Sequence, residues 1–537
     1  MYFLTTWLKW PNGTCGLTGQ MAIDTFIAMT ALPPPSLHVP RWRLLTAWLF
    51  LFLMALAIDQ IWVHLWRIVP IGYATTRLTE PISSNGGVNY VRALNQLACK
   101  GVTGGNNAAV LLIRAVGPGQ FPERTWYGKN ILRQLDMPPF APGASRLISL
   151  SDWIEKHPLP ANSSRDARRR MELRLGSEPW TATNYPVIAQ WIRAHNRPLL
   201  LLAQATRRPR YYVPLESPDH GLVHARVPLL RPLTRLTSVA AMRGMLRLGQ
   251  GNIAGATRWA NRIHRLAVLV MQAPDVVSYL VGLRFENIAM RMFQAVANSG
   301  RLSVKQLDAL SHSVESLADL PPLTEALNDQ RYTGLSMLMM LDQNGLMILR
   351  IHHVSRTEKE FVNAIFPIDY AAMMRRENRI FDKEVAAAKR TDFLEECREM
   401  QRLKKVIDGY ASPLRVALNP ADIAVVLANP AAVHIASYRR GAAVIRCLTE
   451  VAIALAQFKL VHGSYPAALA DLVPGELKSP PIDAFSGGPF QYAVTSDRRG
   501  FRVKSHGPPP GVGGWRLNAD MAPFITARGG NWPAAQR

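Results

Sequence analysis

The chain has 537 residues, too many for one core, which points to two or three domains. Hydrophobic residues make up 48% and charged residues 19%, which excludes a disordered chain and fits a folded body with a membrane segment. A formal charge of +24 attracts polyanions such as nucleic acid, anionic lipid or acidic envelope polymers, but the excess Arg is scattered rather than clustered.

Residues 1–40 carry a Pro run, Pro33 to Pro35, and read as an N-terminal tail expected to be disordered. Residues 41–69 read as a transmembrane anchor. Leu44 to Ile58 is almost unbroken in its apolar character and continues through Ile61, Trp62, Val63, Leu65 and Trp66, long enough to cross a bilayer as one helix. Trp42 and Trp48 at one end, with Trp62 and Trp66 at the other, suit the two interfaces. Lys9, Arg41 and Arg43 precede the run, while Arg67 and Arg77 follow it. The positive-inside rule leans towards a cytoplasmic N-terminus and an extracytoplasmic body. A bacterial inner-membrane, single-pass protein is the expectation.

Residues 70–87 read as a linker, and 88–447 as a helical body. Val91, Leu94, Leu97 and Ala98 fall at helix spacing. The Gly-rich turn at 101–107 feeds a helix start. It has no Lys-Ser/Thr after its glycines, so Asn106 or Asn107 as an N-cap explains it better than a phosphate cradle. Residues 117–145 read as a Pro- and Gly-rich ordered loop, and Tyr185 to Ala205 as one long amphipathic helix. Arg165 to Arg170 is a basic run of the kind that usually forms a solvated helix face. Arg207, Arg208, Arg210, Tyr211 and Tyr212 join guanidinium groups to aromatic rings. They can stack on bases or sugars, or form an internal cation–π corner.

Ser238 to Gln272 carries the clearest helical signal. Ala241 and Gly244 permit close helix approach, and Gly249 and Gly251 break the run before Ala256, Ala260 and Ile263. This resembles one tetratricopeptide-type helical hairpin, but a solenoid needs more repeats than are visible. Gly300 and Ser303 give a helix stop and start. Met337, Met339 and Met340 sit in a Met-rich helix that can offer a soft surface to a partner or end inside a core. Phe381 to Ile407 reads as one charged amphipathic helix, and Ala436 to His462 as the last helix.

No nucleophile elbow, phosphate-binding loop or paired-Cys metal motif is visible, and no cofactor is implied. The four cysteines, Cys15, Cys99, Cys397 and Cys447, have no metal spacing and read as free thiols. His352 and His353 with Glu358 and Glu360 form an awkward ligand set, because adjacent helical residues point about 100° apart. Asp392, Glu395, Glu396 and Glu399 share one helix face, either as a salt-bridged surface or as an acid/base pair. His195, His264, His312 and His434 show no partner in the sequence.

Residues 448–537 read as a small α+β module. Gly463 fits a helix C-cap, Tyr465 and Pro466 force an extended exit, and Gly487 with Gly488 fits a tight turn. Gln491 to Val494 and Gly500 to Lys504 alternate as half-buried strands do. Phe458, Leu460, Gly463, Tyr465 and Pro466 are followed by Asp483, Phe485, Gly487, Pro489, Phe490, Gln491 and Tyr492. Gly507 comes next, and then Gly513, Gly514, Asn518, Ala519 and Asp520. In that order the segment resembles the end of the major pseudopilin of type II secretion systems. No processing site stands at residues 1–66, and Pro508 to Pro510 occupy the place of the family's calcium loop. Asn518 and Asp520 remain as two oxygen ligands, too few for calcium without backbone help. Asn106 to Gly117, Arg208 to Tyr212, the hairpin at Met245 to Gly251 and this tail together resemble membrane-anchored bacterial proteins whose family lends no activity.

The expected fold is therefore mainly α: a transmembrane helix, an antiparallel helical-hairpin body and a small α+β module. The expected role is protein–protein contact or envelope assembly, with a membrane or envelope protein partner and no specific nucleic acid. An envelope-polymer hydrolase using Asp392 and Glu396, and a polyanion-binding module using the Arg-rich segments, are the alternatives.

Overall fold

The computed structural model describes residues 46, 48–52, 54–55, 69–144, 146–157, 164–344, 369–390, 392–412, 432–508 and 524–527. The chain divides into two units, Met1–Trp66 and Arg67–Arg537. In the first unit the described residues are helical, and the apolar side chains Trp48, Leu49, Phe50, Leu51, Phe52 and Met54 are all exposed. Most of the expected anchor, and all of the expected tail, lie outside the described residues. Among the described residues no helix is long and apolar enough to cross a membrane.

The second unit is mainly helical. Its first segment is ordered despite reading as a linker. Asn378 donates from Nδ2 to the carbonyls of Ala74 at 3.0 Å and Thr75 at 2.7 Å, and the Tyr90 hydroxyl donates to the Thr76 carbonyl at 2.9 Å. Helix α1 (Tyr90–Ala98) follows, then α2 (Ala108–Val116). Asn107 is the N-cap of α2, as its position predicts.

The expected loop at 117–145 contains a helix, α3 (Trp126–Gln134), capped by the Thr125 hydroxyl. Gly128 disguises it, being a poor helix former. Its place is fixed by packing, because a Cβ there would lie 2.0 Å from the Pro122 carbonyl oxygen. Helices α4 (Leu150–Lys156) and α5 (Arg165–Ser177) come next. The single helix expected from Tyr185 to Ala205 is two, α6 (Pro186–Ala194) and α7 (Asn196–Ala205). Pro198 is the reason: it has no N–H for the Ala194 carbonyl, so it fits only in the first turn of a new helix.

Helices α8 (Leu230–Gly249), α9 (Ile253–Val270) and α10 (Val276–Ala297) pack on one another and carry the largest core. The α8–α9 turn uses Gly251 at φ +79°, and Asn252 caps α9. Gly244 allows the close approach its size predicts. A Cβ there would sit 2.2 Å from Met292 Cε and 3.2 Å from Trp259 Cβ.

Helix α11 (Val304–Glu315) begins with a capping box between Ser303 and Gln306. It is followed by α12 (Leu323–Asn344) and α13 (Tyr370–Ala388). The long charged helix expected from Phe381 to Ile407 is broken, and α14 (Phe393–Asp408) starts anew at Asp392, which caps it. The polar break residues favour a cap over a continuous helix. Helix α15 (Ala432–His462) passes through the expected 447/448 boundary without interruption and packs on α10. There Gln294 donates to the Thr449 hydroxyl at 3.0 Å.

Gly463 ends α15 at φ +77°, its N–H donating to the Lys459 carbonyl. Strands β1 (Gln491–Val494), β2 (Phe501–Lys504) and β3 (Phe524–Ala527) form an antiparallel sheet in that order. Gln491 pairs with Lys504 and Val494 with Phe501 across the first hairpin. Phe501 and Val503 point from β2 into the core shared with α15.

Candidate functional site

A cleft of about 720 Å³ with a mixed polar and apolar lining lies between α1, α3 and the strap at 210–220. Asn89, Arg92, Gln96 and Cys99 recur along α1 at three- and four-residue spacing, so they share one face, away from the buried Leu94, with Val91 at its margin. Trp126, Asn130 and Gln134 are spaced by four on α3 and form the facing wall. Glu216 and Ser217 close the cleft from the strap.

Backbone bridges hold the strap at Arg210, against Asn107, and at Glu216, against Arg226, and between them two asparagine side chains take the place of a neighbouring strand. Tyr212 donates its N–H to Asn107 Oδ1 at 3.0 Å and accepts from Asn107 Nδ2 at 2.8 Å. Three residues on, Leu215 donates to Asn95 Oδ1 at 2.8 Å and accepts from Asn95 Nδ2 at 2.9 Å. Each carboxamide thus satisfies both polar backbone groups of one residue.

Glu216 is held in turn by amides. Asn130 Nδ2 donates to Glu216 Oε2 at 3.2 Å, and Gln134 Nε2 donates to Oε1. The carboxylate therefore has a fixed direction at the cleft wall. Tyr212 also lines the cleft, and burial pushes its hydroxyl well above its ordinary pKa, so it stays protonated. Trp126 stands 46% exposed, edge to face with Tyr127.

The basic–aromatic segment has an internal role here. Tyr211 and Tyr212 are buried, and Gln272 Oε1 accepts from the Tyr211 N–H at 2.9 Å. Arg208 donates to the carbonyls of Gly104 at 2.9 Å and Asn107 at 2.6 Å, and Arg210 donates to that of Lys100 at 2.8 Å. The two guanidinium groups thus bind carbonyls in the Gly-rich turn and at the residue just before it. Arg207 is exposed.

Met337, Met339 and Met340 are buried, so they offer no open surface. Met340 packs on Gly221, where a Cβ would lie 1.9 Å from its sulfur, and Met339 packs on Gly87. The soft side chains fill irregular gaps within the chain.

The acidic face of α14 divides among separate contacts. Asp392 caps the helix, Arg390 pairs with Glu395 at 2.7 Å, and Arg402 pairs with Glu399 at 3.3 Å. Glu396 is buried and pairs with Arg440 of α15 at 2.9 Å; burial raises its pKa and the guanidinium opposes the rise. His352, His353, Glu358, Glu360, Asn518 and Asp520 lie outside the described residues. Among the described residues no group of three or more His, Cys, Asp or Glu is placed to hold a metal ion.

The histidines have partners the sequence hid. His195 Nε2 accepts from the Ile148 N–H at 3.0 Å, so its Nδ1 donates to the Trp191 carbonyl at 2.7 Å. Burial lowers its pKa, consistent with a neutral ring. His264 meets Glu286 at 2.7 Å between α9 and α10, both side chains 1% exposed. His312 Nδ1 lies 2.8 Å from the Asp308 carbonyl. Cys99, Cys397 and Cys447 are free, and burial pushes the thiols of Cys397 and Cys447 up to about 12.

The C-terminal motif residues converge. Tyr465 packs edge to face on Phe501 at 4.7 Å, with Lys459 Nζ 4.5 Å from its ring centroid. The Tyr492 hydroxyl donates to the Pro466 carbonyl at 2.9 Å. Asp483 is fully buried. It accepts from the Phe485 N–H at 3.1 Å, the His506 N–H at 2.7 Å and the Ser505 hydroxyl at 2.9 Å. Gly487, Gly488 and Gly507 form the turns around it, with Gly487 at φ +72° and Gly507 at φ +74°.

The cleft is not visible in the sequence, because its walls come from three separate segments. The available signal was a pair of short helices rich in carboxamides, Asn89, Asn95 and Gln96 at the first and Asn130 and Gln134 four residues apart on the second. Compared with known families, curated proteins and solved structures, the chain matches none.

Proposed function

We propose that this is a single-pass bacterial inner-membrane protein with an extracytoplasmic helical body, acting in envelope or secretion-related assembly by binding a membrane or envelope protein. Exposure of Trp48 through Phe52 and of Met54 on one helix supports the anchor, since such a surface is stable in lipid and not in water. The observation that carries the assembly reading is the fastening of the tail. Asp483, Ser505, His506, Tyr465 and Phe501 tie the module to itself, and their core continues into α15, so the body presents a fixed surface. The α8–α9 hairpin of tetratricopeptide type and the pseudopilin-like tail fit the same role.

A photo-crosslinking residue at Val461 or Ile482, both exposed beside the module, tests it. The expected result is an envelope protein adduct that disappears when Asp483→Ala releases the module. An adduct unchanged by that substitution overturns the assembly reading. Protease access from the cytoplasmic side would overturn the topology.

The cleft supports a second reading, in which the body also holds a ligand. Its rigid wall, with Glu216 directed by Asn130 and Gln134, is the supporting observation. A photo-crosslinker at Gln96 would yield an adduct in cells, and failure at this position would remove the reading. Of the alternatives, the hydrolase reading draws nothing from Asp392 and Glu396, which serve a helix cap and an ion pair. The polyanion reading keeps only Arg207 and the exposed helix-face arginines.

A further inference from the structure

The cleft has a lining of unusual composition. Five carboxamides reach it, from Asn89, Asn95, Gln96, Asn130 and Gln134. A carboxamide offers donors and an acceptor from one planar group. A sugar ring offers hydroxyls that each donate and accept, so the two surfaces match.

Not all five amides are committed to the fold. Gln96 makes no side-chain hydrogen bond among the described residues. Asn89 uses its Oδ1 to accept from the Arg92 N–H at 2.9 Å, leaving Nδ2 directed elsewhere. Asn130 and Gln134 direct their amide nitrogens to Glu216 and keep acceptor capacity of their own, although Arg133 also reaches Asn130 Oδ1. Glu216, held from two sides, still has lone pairs for hydroxyl donors.

Trp126 supplies what amides cannot. Its half-exposed indole offers apolar area to the carbon face of a pyranose, and its Nε1–H makes no hydrogen bond among the described residues. The charge balance argues against a polyanion, because Arg92 is offset by Glu216. The lining is mixed, with polar and apolar surface in similar amounts, which suits an amphipathic sugar better than a wholly apolar ligand, whose pockets are mostly hydrophobic. The volume lies within the range of ligand sites, roughly 300–1,000 Å³.

We infer that this cleft binds an oligosaccharide, with Trp126 against a pyranose face and Gln96, Asn89 and Glu216 meeting its hydroxyl or amide groups. The inference deepens the reading of the cleft as a ligand site and rests on it.

The test uses the full chain in lipid nanodiscs, which avoids sugar-headed detergents. Three probes are titrated: a β-1,4-linked N-acetylglucosamine tetramer, cellotetraose and a heparin hexasaccharide. Saturation-transfer NMR reports contact and calorimetry reports affinity. Binding of at least one neutral tetramer is expected, weakened roughly 10-fold by Trp126→Ala and at least severalfold by Gln96→Ala. Thermal melts confirm that both variants fold, and Leu200→Ala, an exposed position outside the cleft lining, serves as the unaffected control. No contact with either neutral tetramer overturns the inference, as does binding that ignores both cleft substitutions. Binding of heparin alone overturns it in favour of a polyanion site. If the sugars fail while the Gln96 crosslink persists, only the ligand class falls; if both fail, the cleft is not a ligand site.

Discussion

Asn107 and Tyr212 exchange two hydrogen bonds across 105 residues of sequence, the side-chain amide of one pairing with both backbone groups of the other. The same Oδ1 also accepts from the Ala109 N–H at 3.0 Å, so one asparagine both starts α2 and anchors the strap. Asn107→Ala removes the cap and leaves the buried N–H and carbonyl of Tyr212 without these partners. The expected loss is about 2–4 kcal/mol, combining a cap of about 1 kcal/mol with the cost of unpaired buried groups. Denaturant unfolding measures it. A loss below about 1 kcal/mol would show that water replaces the amide without difficulty.

The asparagine clasp also marks the limit of what the sequence shows. The N-cap role of Asn107 was legible because its donors are two residues away. The Tyr212 role was not, because nothing local links the two positions. The strands Gln491–Val494 and Phe501–Lys504 were legible in the same way, being adjacent runs of alternating character. The arginines at 208 and 210 announced an aromatic corner, yet they bind carbonyls more than 90 residues upstream, a choice made by the tertiary fold. The cleft was obscured for a similar reason: α3 was hidden behind Gly128 and its Pro-rich flanks.

Glycines at two neighbouring positions make a direct comparison. Gly249 and Gly251 both read as helix breakers, but they act differently. A Cβ at Gly249 would lie 1.9 Å from the Trp180 carbonyl oxygen, whereas Gly251 has open space and φ +79°. Gly251→Ala is expected to cost about 1 kcal/mol through backbone conformation alone. Gly249→Ala must displace the 180 backbone and is expected to cost about 2–3 kcal/mol. Melting curves of the two variants decide the order, and the reverse order would mean that the Trp180 segment yields easily.

Glu384 makes stability depend on pH. It is 3% exposed, its Oε2 has no hydrogen-bond partner among the described residues, and burial raises its pKa to about 8, with Arg331 opposing the rise. The folded state therefore holds a proton that the unfolded chain releases near the ordinary value of 4.5. Its contribution is fully present below pH 4.5 and is lost as pH rises towards 8. The slope is at most roughly 1.4 kcal/mol per pH unit within that window. Glu384→Gln keeps the neutral shape and should flatten the curve, gaining most over the parent chain near pH 8. Parallel curves for the two proteins across pH 5–8 would mean that Glu384 ionises normally.

Asp483 is the centre of the C-terminal module, and its substitution separates module from body. Its carboxylate accepts from two backbone N–H groups and from the Ser505 hydroxyl, joining the Gly487 turn to the end of β2. His506 Nδ1 lies 3.2 Å from the same carboxylate and can add a fourth donor. Asp483→Asn is nearly isosteric but turns an NH2 group towards donors, so at least one buried bond is lost and a repulsive contact appears. The expected cost is about 2–4 kcal/mol. Ser505→Ala removes only the hydroxyl and should cost about 1 kcal/mol. Hydrogen exchange localises the effect. Amides of Phe501–Lys504 should exchange faster in Asp483→Asn, while those of α8 and α9 keep their protection. The reason lies in the two cores: α8 and α9 belong to the large one around Leu233 and Ile263, whereas Phe501 and Val503 belong to the one shared with α15. Faster exchange in all of these elements together would show that the tail and the body unfold as a single cooperative unit.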